Sequence, residues 1–213
     1  MVRITDDILY RVEKPSRYVG GELNEVIKDP KEVDIRFGFC FPDVYEVGMS
    51  HLGSRILYHV LNQRKDTYCE RVYAPWPDME KLMRENNIPL YALETKDPIN
   101  EFNFLAFTLQ YEMSYTNILN MLNMGGIPLR ASERTEKDPL VIAGGPCAYN
   151  PEPLYDIVDI FQLGEGEEGL NDLLDLYQKH KDNFNKEAYL REASHIPSVY
   201  IPSLYDVTYN EDG

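Results

Sequence analysis

Short apolar runs alternate along this chain with amphipathic stretches, the pattern of repeated βα units. Val33–Phe41 (VDIRFGFCF) reads as a first strand, and Ser50–Asn62 as a helix with Leu52, Ile56, Leu57, Val60 and Leu61 on one face. Glu70–Ala74 reads as a short second strand. Pro77–Asn86 follows as a helix, with Asp78 near its N-terminus. Phe104–Leu109 is almost continuously apolar, as a strand buried on both faces requires. Tyr115–Met124 forms a helix stopped by Gly125-Gly126. Leu140–Ala143 is a fourth strand running into Gly144-Gly145, Ile157–Leu163 carries a fifth, and Glu165–His180 is the helix after it.

Strands alternating with crossover helices predict parallel pairing and right-handed connections. The expected fold is therefore α/β, a doubly wound (Rossmann-like or flavodoxin-like) sheet of five parallel strands. Residues 1–32 fall outside the repeat and read as an N-terminal arm; residues 33–181 form the α/β domain. Residues 182–213 read as a helix near Lys186–Ser194 followed by an extended segment. The closing Asn-Glu-Asp-Gly reads as a hairpin turn cut in half, so a longer parent polypeptide is expected.

Composition narrows the choice of partners. The 213 residues are 43% hydrophobic, enough for a core, and carry a net charge of −15, which repels nucleic-acid phosphates and anionic membranes. No run reaches the roughly 18 apolar residues of a membrane span, and the first residues lack the basic-then-apolar pattern of a secretion signal. Cys40, Cys69 and Cys147 are odd in number and scattered among apolar neighbours, as free thiols in a reducing compartment would be. Cytoplasm is the expected location.

An open parallel sheet binds ligands outside the carboxyl ends of its strands. That places the candidate chemistry in four segments: Asp43, Tyr45 and Gly48 after the first strand, Thr108 at the end of the third, Gly144 and Gly145 after the fourth, and Gly164 and Glu165 after the fifth. Parallel strands should deliver these turns to one shared rim. Gly144-Gly145 permits positive φ and close approach of a flat ligand, although glycine is also an ordinary turn residue. Glu165 and Glu167 equally suit the first turn of a helix, where carboxylates complement its dipole. Tyr111, Glu112 and Tyr115 are candidate pocket-lining residues, and Cys147 is the cysteine best placed to react. Neither a Gly-x-x-x-x-Gly-Lys-Ser/Thr loop nor a Gly-x-Gly-x-x-Gly turn after the first strand is present. His51, His59, His180, His195 and the cysteines show no paired zinc-ligand spacing.

The stretch VIAGGPCAYNPEPLYDIVDIFQLGEGEEGLNDLL resembles the end of the cobalamin-binding-like domain that precedes radical S-adenosylmethionine (radical SAM) enzymes. There Gly-Gly, Pro-Glu, Asp and Gly-Glu-Gly-Glu recur in order, as Gly144-Gly145, Pro151-Glu152, Asp159 and Gly164-Glu165-Gly166-Glu167 do here. A first strand, a Pro-Asp and a Ser-x-Leu-Gly helix (Ser50, Leu52, Gly53) match as well, so the likeness spans about Val33 to Tyr177. With KPSRYVGGELN near the front, the chain is most similar to an uncharacterised subfamily of these Fe-S oxidoreductases.

The resemblance implies an accessory domain that presents cofactor or substrate to a downstream catalytic barrel of the same polypeptide, with no catalytic residue of its own. It implies cobalamin as a cofactor, held without a histidine ligand: the Asp-x-His-x-x-Gly that ligates cobalt elsewhere is Asp43-Val44-Tyr45-Glu46-Val47-Gly48 here, and a phenol is a poor ligand. A Cys-x3-Cys-x2-Cys loop is absent, so the 4Fe-4S cluster and S-adenosylmethionine are expected only in that downstream domain. The competing expectation is a protein-interaction module that kept the fold and lost its ligand, with no cavity of about 300 Å3 or more at the strand ends. A flavodoxin-like FMN domain is disfavoured because no Ser/Thr-rich phosphate loop follows the first strand.

Overall fold

The computed structural model describes residues 1–206, 208 and 210; of the half-turn expected at 210–213, residues 211–213 lie outside that set. Six strands form one sheet: β1 Ile35–Phe41, β2 Thr67–Tyr73, β3 Phe104–Thr108, β4 Leu140–Gly144, β5 Ile160–Gln162 and β6 Val199–Tyr200. Their order is β2-β1-β3-β4-β5-β6. The first five are parallel and β6 runs antiparallel to β5. The expected five-stranded sheet is corrected to six. The three residues of β5 would otherwise leave an open edge, and the tail covers it by pairing Phe161 with Tyr200 and Gln162 with Val199.

Seven helices lie among the described residues: α1 Asp6–Leu9, α2 Tyr45–Ser50, α3 Leu52–Gln63, α4 Pro77–Glu85, α5 Tyr115–Met124, α6 Gly166–His180 and α7 Lys186–Ala193. The central strands bury both faces by strict alternation. Phe37 and Phe39 of β1, Phe104 and Ala106 of β3, and Leu140 and Ile142 of β4 pack with Tyr58 and Leu61 of α3 and Leu170, Leu173 and Leu174 of α6. Cys40, Leu105, Phe107, Val141 and Ala143 face the other way, against Met79, Leu82 and Met83 of α4 and Ile118, Met121 and Leu122 of α5. Helices on both faces over the order 2-1-3-4-5 make the sheet doubly wound, and strand order reverses between β1 and β3.

Three local readings change. The helix expected over Ser50–Asn62 is broken at His51, whose extended backbone (φ −77°, ψ 113°) ends α2 and caps α3. Leu52 and Ile56 are consequently exposed, and Tyr58 and Leu61 form the buried stripe. Strand β2 begins three residues earlier than expected, at Thr67. Its polar interior is tolerated because the buried Glu70 carboxylate pairs with Arg36 and accepts the Thr95 N–H at 3.0 Å. The β4–β5 connection carries no α-helix. Pro146, Pro151 and Pro153 remove backbone donors there, and the chain makes two 3-10 turns, Pro146–Tyr149 and Glu152–Leu154.

The arm packs along β2 and the β2 end of the sheet. Lys28 donates to the carbonyls of Asn62, Arg64 and Thr67 at 2.6–2.9 Å, and Glu22 meets Arg71 at 3.1 Å. No described helix is long and apolar enough to cross a membrane.

Candidate functional site

The carboxyl ends of β1, β3, β4 and β5 and the first turns of α3 and α6 enclose a slot of about 200 Å3. Phe39, Ala106 and Ile142 line it from the sheet, and Leu57 and Leu170 from the two helices. Its polar groups come from His51, Ser54, Thr108, Gln110, Gln162, Glu165 and Glu167. Five of the candidate residues, Thr108, Gly144, Gly145, Gly164 and Glu165, therefore meet at one place. Gly145 sits at φ +110° with its Cβ position 2.9 Å from the Leu109 carbonyl, so a side chain there would be strained and would clash with backbone. Gly164, at φ +94°, turns the chain from β5 into α6.

Asp43, Tyr45 and Gly48 emerge from the same end of the sheet, and none of them lines the slot. The Asp43 carboxylate accepts the Val44 N–H at 2.7 Å and the Tyr111 hydroxyl at 2.9 Å. Tyr45 donates its hydroxyl to Glu22 at 2.8 Å and packs edge-on against Tyr73, with ring centroids 5.5 Å apart. Burial and the Glu22 carboxylate push its pKa up to about 12. Gly48 lets α2 approach the sheet, since a Cβ there would lie 3.0 Å from Phe41 Cγ and closer still to the Tyr73 ring. It lines a second cleft of about 780 Å3 between the arm, α3 and β2, which shares Phe39 and Ser54 with the slot. The rim is thus divided by α3 into two adjoining hollows.

Sequence reasoning missed His51, Ser54 and Gln162 as slot residues. Gln162 carried a signal, a polar amide closing an otherwise apolar strand. It is only 3% exposed; its Nε2 donates to the Glu165 carbonyl at 3.4 Å, while Oε1 has no partner among the described residues. Gly169 of α6 makes room for it, because a Cβ there would lie 2.6 Å from Gln162 Oε1. His51 accepts the Ser54 N–H at Nδ1, 3.1 Å away, with the Ser54 hydroxyl at 2.8 Å. Gln110 donates to Thr108 Oγ1 at 2.5 Å.

The cysteines are poor nucleophiles. Cys40 and Cys69 are buried in adjacent strands, and burial pushes both thiols up. Burial, and then the Glu112 carboxylate, also push Cys147 above its ordinary value, which lowers its thiolate fraction. Tyr115 donates to the Cys147 carbonyl at 3.5 Å. Of the residues in the resembling motif, Asp159 lies at the opposite, amino-terminal end of the sheet. It accepts from Arg134 at 2.9 and 3.1 Å and from the Val141 N–H at 2.9 Å, and it meets Lys186 at 2.9 Å. Among the described residues no group of three or more His, Cys, Asp or Glu side chains is placed to hold a metal ion.

The fit to cobalamin is partial. An apolar floor with polar groups around it suits a flat ring group, and the slot is far too small for the corrin macrocycle, which would have to lie outside on the rim. Cobalt ligation by Tyr45 does not fit, since its hydroxyl stays protonated and is engaged by Glu22.

Residues 53–202 match the family described as radical SAM proteins, N-terminal. An uncharacterised protein of Methanocaldococcus jannaschii is 26% identical over 128 residues, an alignment that covers 60% of this chain and 23% of that protein. The chain thus spans less than a quarter of that relative's length. No solved structure matches.

Proposed function

Because the chain belongs to the radical SAM N-terminal family, we propose that it is an accessory domain that holds a cofactor or substrate group at its strand-end rim. It presents that group to a radical SAM domain of the same polypeptide. The 4Fe-4S cluster and S-adenosylmethionine belong to that downstream domain, which does the redox chemistry. The observation that carries this reading is the slot, where Thr108, Gly144, Gly145, Gly164 and Glu165 converge on the topological edge at which doubly wound sheets bind ligands.

On this reading the chain's residues bind and orient. The glycine turns keep side chains off the rim, and Leu57 and Leu170 grip a ring against the sheet. Cobalamin, if bound, would be held by the rim residues Thr108, Gly144, Gly145, Gly164 and Glu165 and would supply corrin-borne alkyl or electron transfer. Titration of the chain with hydroxocobalamin, followed by visible absorbance and heat, tests the cofactor: saturable binding is expected, and no binding at high micromolar concentration removes it.

A second reading, a ligand-free interaction module, is favoured by one observation. Leu23 (98% exposed), Leu52 and Ile56 line the larger cleft with exposed apolar side chains, while the volume of that cleft, about 780 Å3, counts against this reading. It survives only if the rim binds no small molecule.

A further inference from the structure

We propose that the larger cleft is a second ligand site, separate from the slot, for a molecule with an extended apolar body and one carboxylate end. The two hollows share only Phe39 and Ser54, so the inference stands apart from what the slot holds.

At about 780 Å3 the cleft falls within the roughly 300–1,000 Å3 of small-molecule sites. Its aromatic lining comes from Phe39, Phe41, Tyr58 and Tyr73, and the polar groups among and beside these rings are already engaged. The Tyr58 hydroxyl accepts the Val26 N–H at 2.8 Å, and the Tyr73 hydroxyl donates to Met49 Sδ at 3.0 Å. Arg71 meets Glu22 at 3.1 Å and Glu94 at 2.6 Å, while Glu22 also accepts the Tyr45 hydroxyl at 2.8 Å. A group buried there finds apolar surface and no bare partner, so it has to be apolar itself. The surfaces it would cover lie open to water: Leu23 on the arm is 98% exposed, and Leu52 and Ile56 of α3 are 66% and 40% exposed.

The charge comes from the α3 wall. Leu52, Arg55, Ile56 and His59 stand at i, i+3, i+4 and i+7 on one helix face, and all four are exposed and line the cleft. Arg55 thus shares a wall with the apolar pair, and its guanidinium has no ion-pair partner among the described residues. His59 is engaged by Gln63, 2.9 Å away. The chain carries 36 Asp and Glu against 21 Lys and Arg, yet α3 has no acidic residue. Among the described residues, Glu22 is the one carboxylate lining the cleft, and Arg71 already matches it. Charges beyond about 8 Å are screened at physiological ionic strength, so the unmatched Arg55 sets the local preference. Its planar fork takes a carboxylate by two parallel hydrogen bonds. A phosphate monoester, with roughly two negative charges, is disfavoured by the net charge of −15.

Calorimetric titration of the 213-residue chain at about 0.15 M salt, with octanoate, decanoate and decyltrimethylammonium as probes, tests this. Decanoate is expected to bind at one site, about tenfold tighter than octanoate because it buries two more methylenes. It should also bind about threefold or more tighter than decyltrimethylammonium, the order of one partly exposed ion pair. Arg55→Gln should abolish the preference for the carboxylate over the ammonium probe, and Ile56→Asn should weaken both. Both side chains are exposed, and each variant is checked for unchanged melting. Equal binding of the two decyl probes, or decanoate binding indifferent to Arg55→Gln, overturns the inference. No heat with any probe at millimolar concentration also overturns it and leaves the cleft to a protein partner. Hydroxocobalamin binding without decanoate binding removes this inference alone, and the converse removes only the cofactor.

Discussion

Asp159 belongs to the motif that ties this chain to its family, yet its surroundings make it a structural residue, and its replacement by asparagine separates the two roles. Its side chain and that of Arg134 are 1% and 0% exposed, and its second oxygen faces Lys186. Arg134 also donates to the carbonyls of Pro128, Leu129 and Ile157, so the pair ties the 128–134 loop to the start of β5. Asp159→Asn keeps the volume but leaves a buried guanidinium without its counter-charge. Breaking one side of a buried pair in this way costs about 3–5 kcal/mol. At about 2.1 cal/mol/K per residue, a 213-residue chain unfolds with an entropy near 0.45 kcal/mol/K, so Tm should fall by about 7–11 °C. Thermal and urea unfolding followed by circular dichroism reads this directly, with the urea m-value unchanged. Rim binding should survive, because Asp159 sits at the far end of the strands. Replacing all three partners together (Asp159→Leu, Arg134→Met, Lys186→Met) should recover most of the loss. A loss below about 1 kcal/mol for Asp159→Asn would refute the argument that the charge is fully desolvated.

Two further outcomes follow from the same reasoning. Gly169→Ala gains about 1 kcal/mol of helix propensity but drives a methyl group into the Gln162 amide. Ligand binding should fall while Tm moves little, and Gln162→Ala in the same chain should raise Tm; a variant that binds normally would show that Gln162 does not shape the slot. Burial holds the Glu94 carboxyl up to about 7, against the opposing pull of Arg71. Between roughly pH 4.5 and 7 the folded chain then keeps a proton that the unfolded chain has lost. The stability from Glu94 is therefore present below about pH 4.5 and lost as pH rises through 7. Urea unfolding across that range should show a steeper fall for the wild type than for Glu94→Gln, and equal slopes would contradict it.

The amino-acid pattern alone determined the elements whose burial is symmetric. Phe104–Thr108 and Leu140–Gly144 are legible because a strand covered on both faces must be apolar at every position, and Tyr115–Met124 because its stripe and its Gly-Gly stop are local. The convergence of Thr108, Gly144, Gly145, Gly164 and Glu165 followed from parallel pairing, which carries every strand end to one side. Only the tertiary structure decided the rest. The sixth strand is two residues long and exists through its partner β5. Leu52 and Ile56 have helical spacing but look onto a cleft, since the break at His51 turns α3 away from the sheet there. Tyr45 looks on its local sequence like a rim residue, and an arm residue 23 positions earlier engages its hydroxyl. Periodicity reports which face of an element is buried; it carries no information on which distant polar group waits across the gap. Asp159 with Arg134, and Gln162 with Gly169, acquire their roles only when folding removes the water between them.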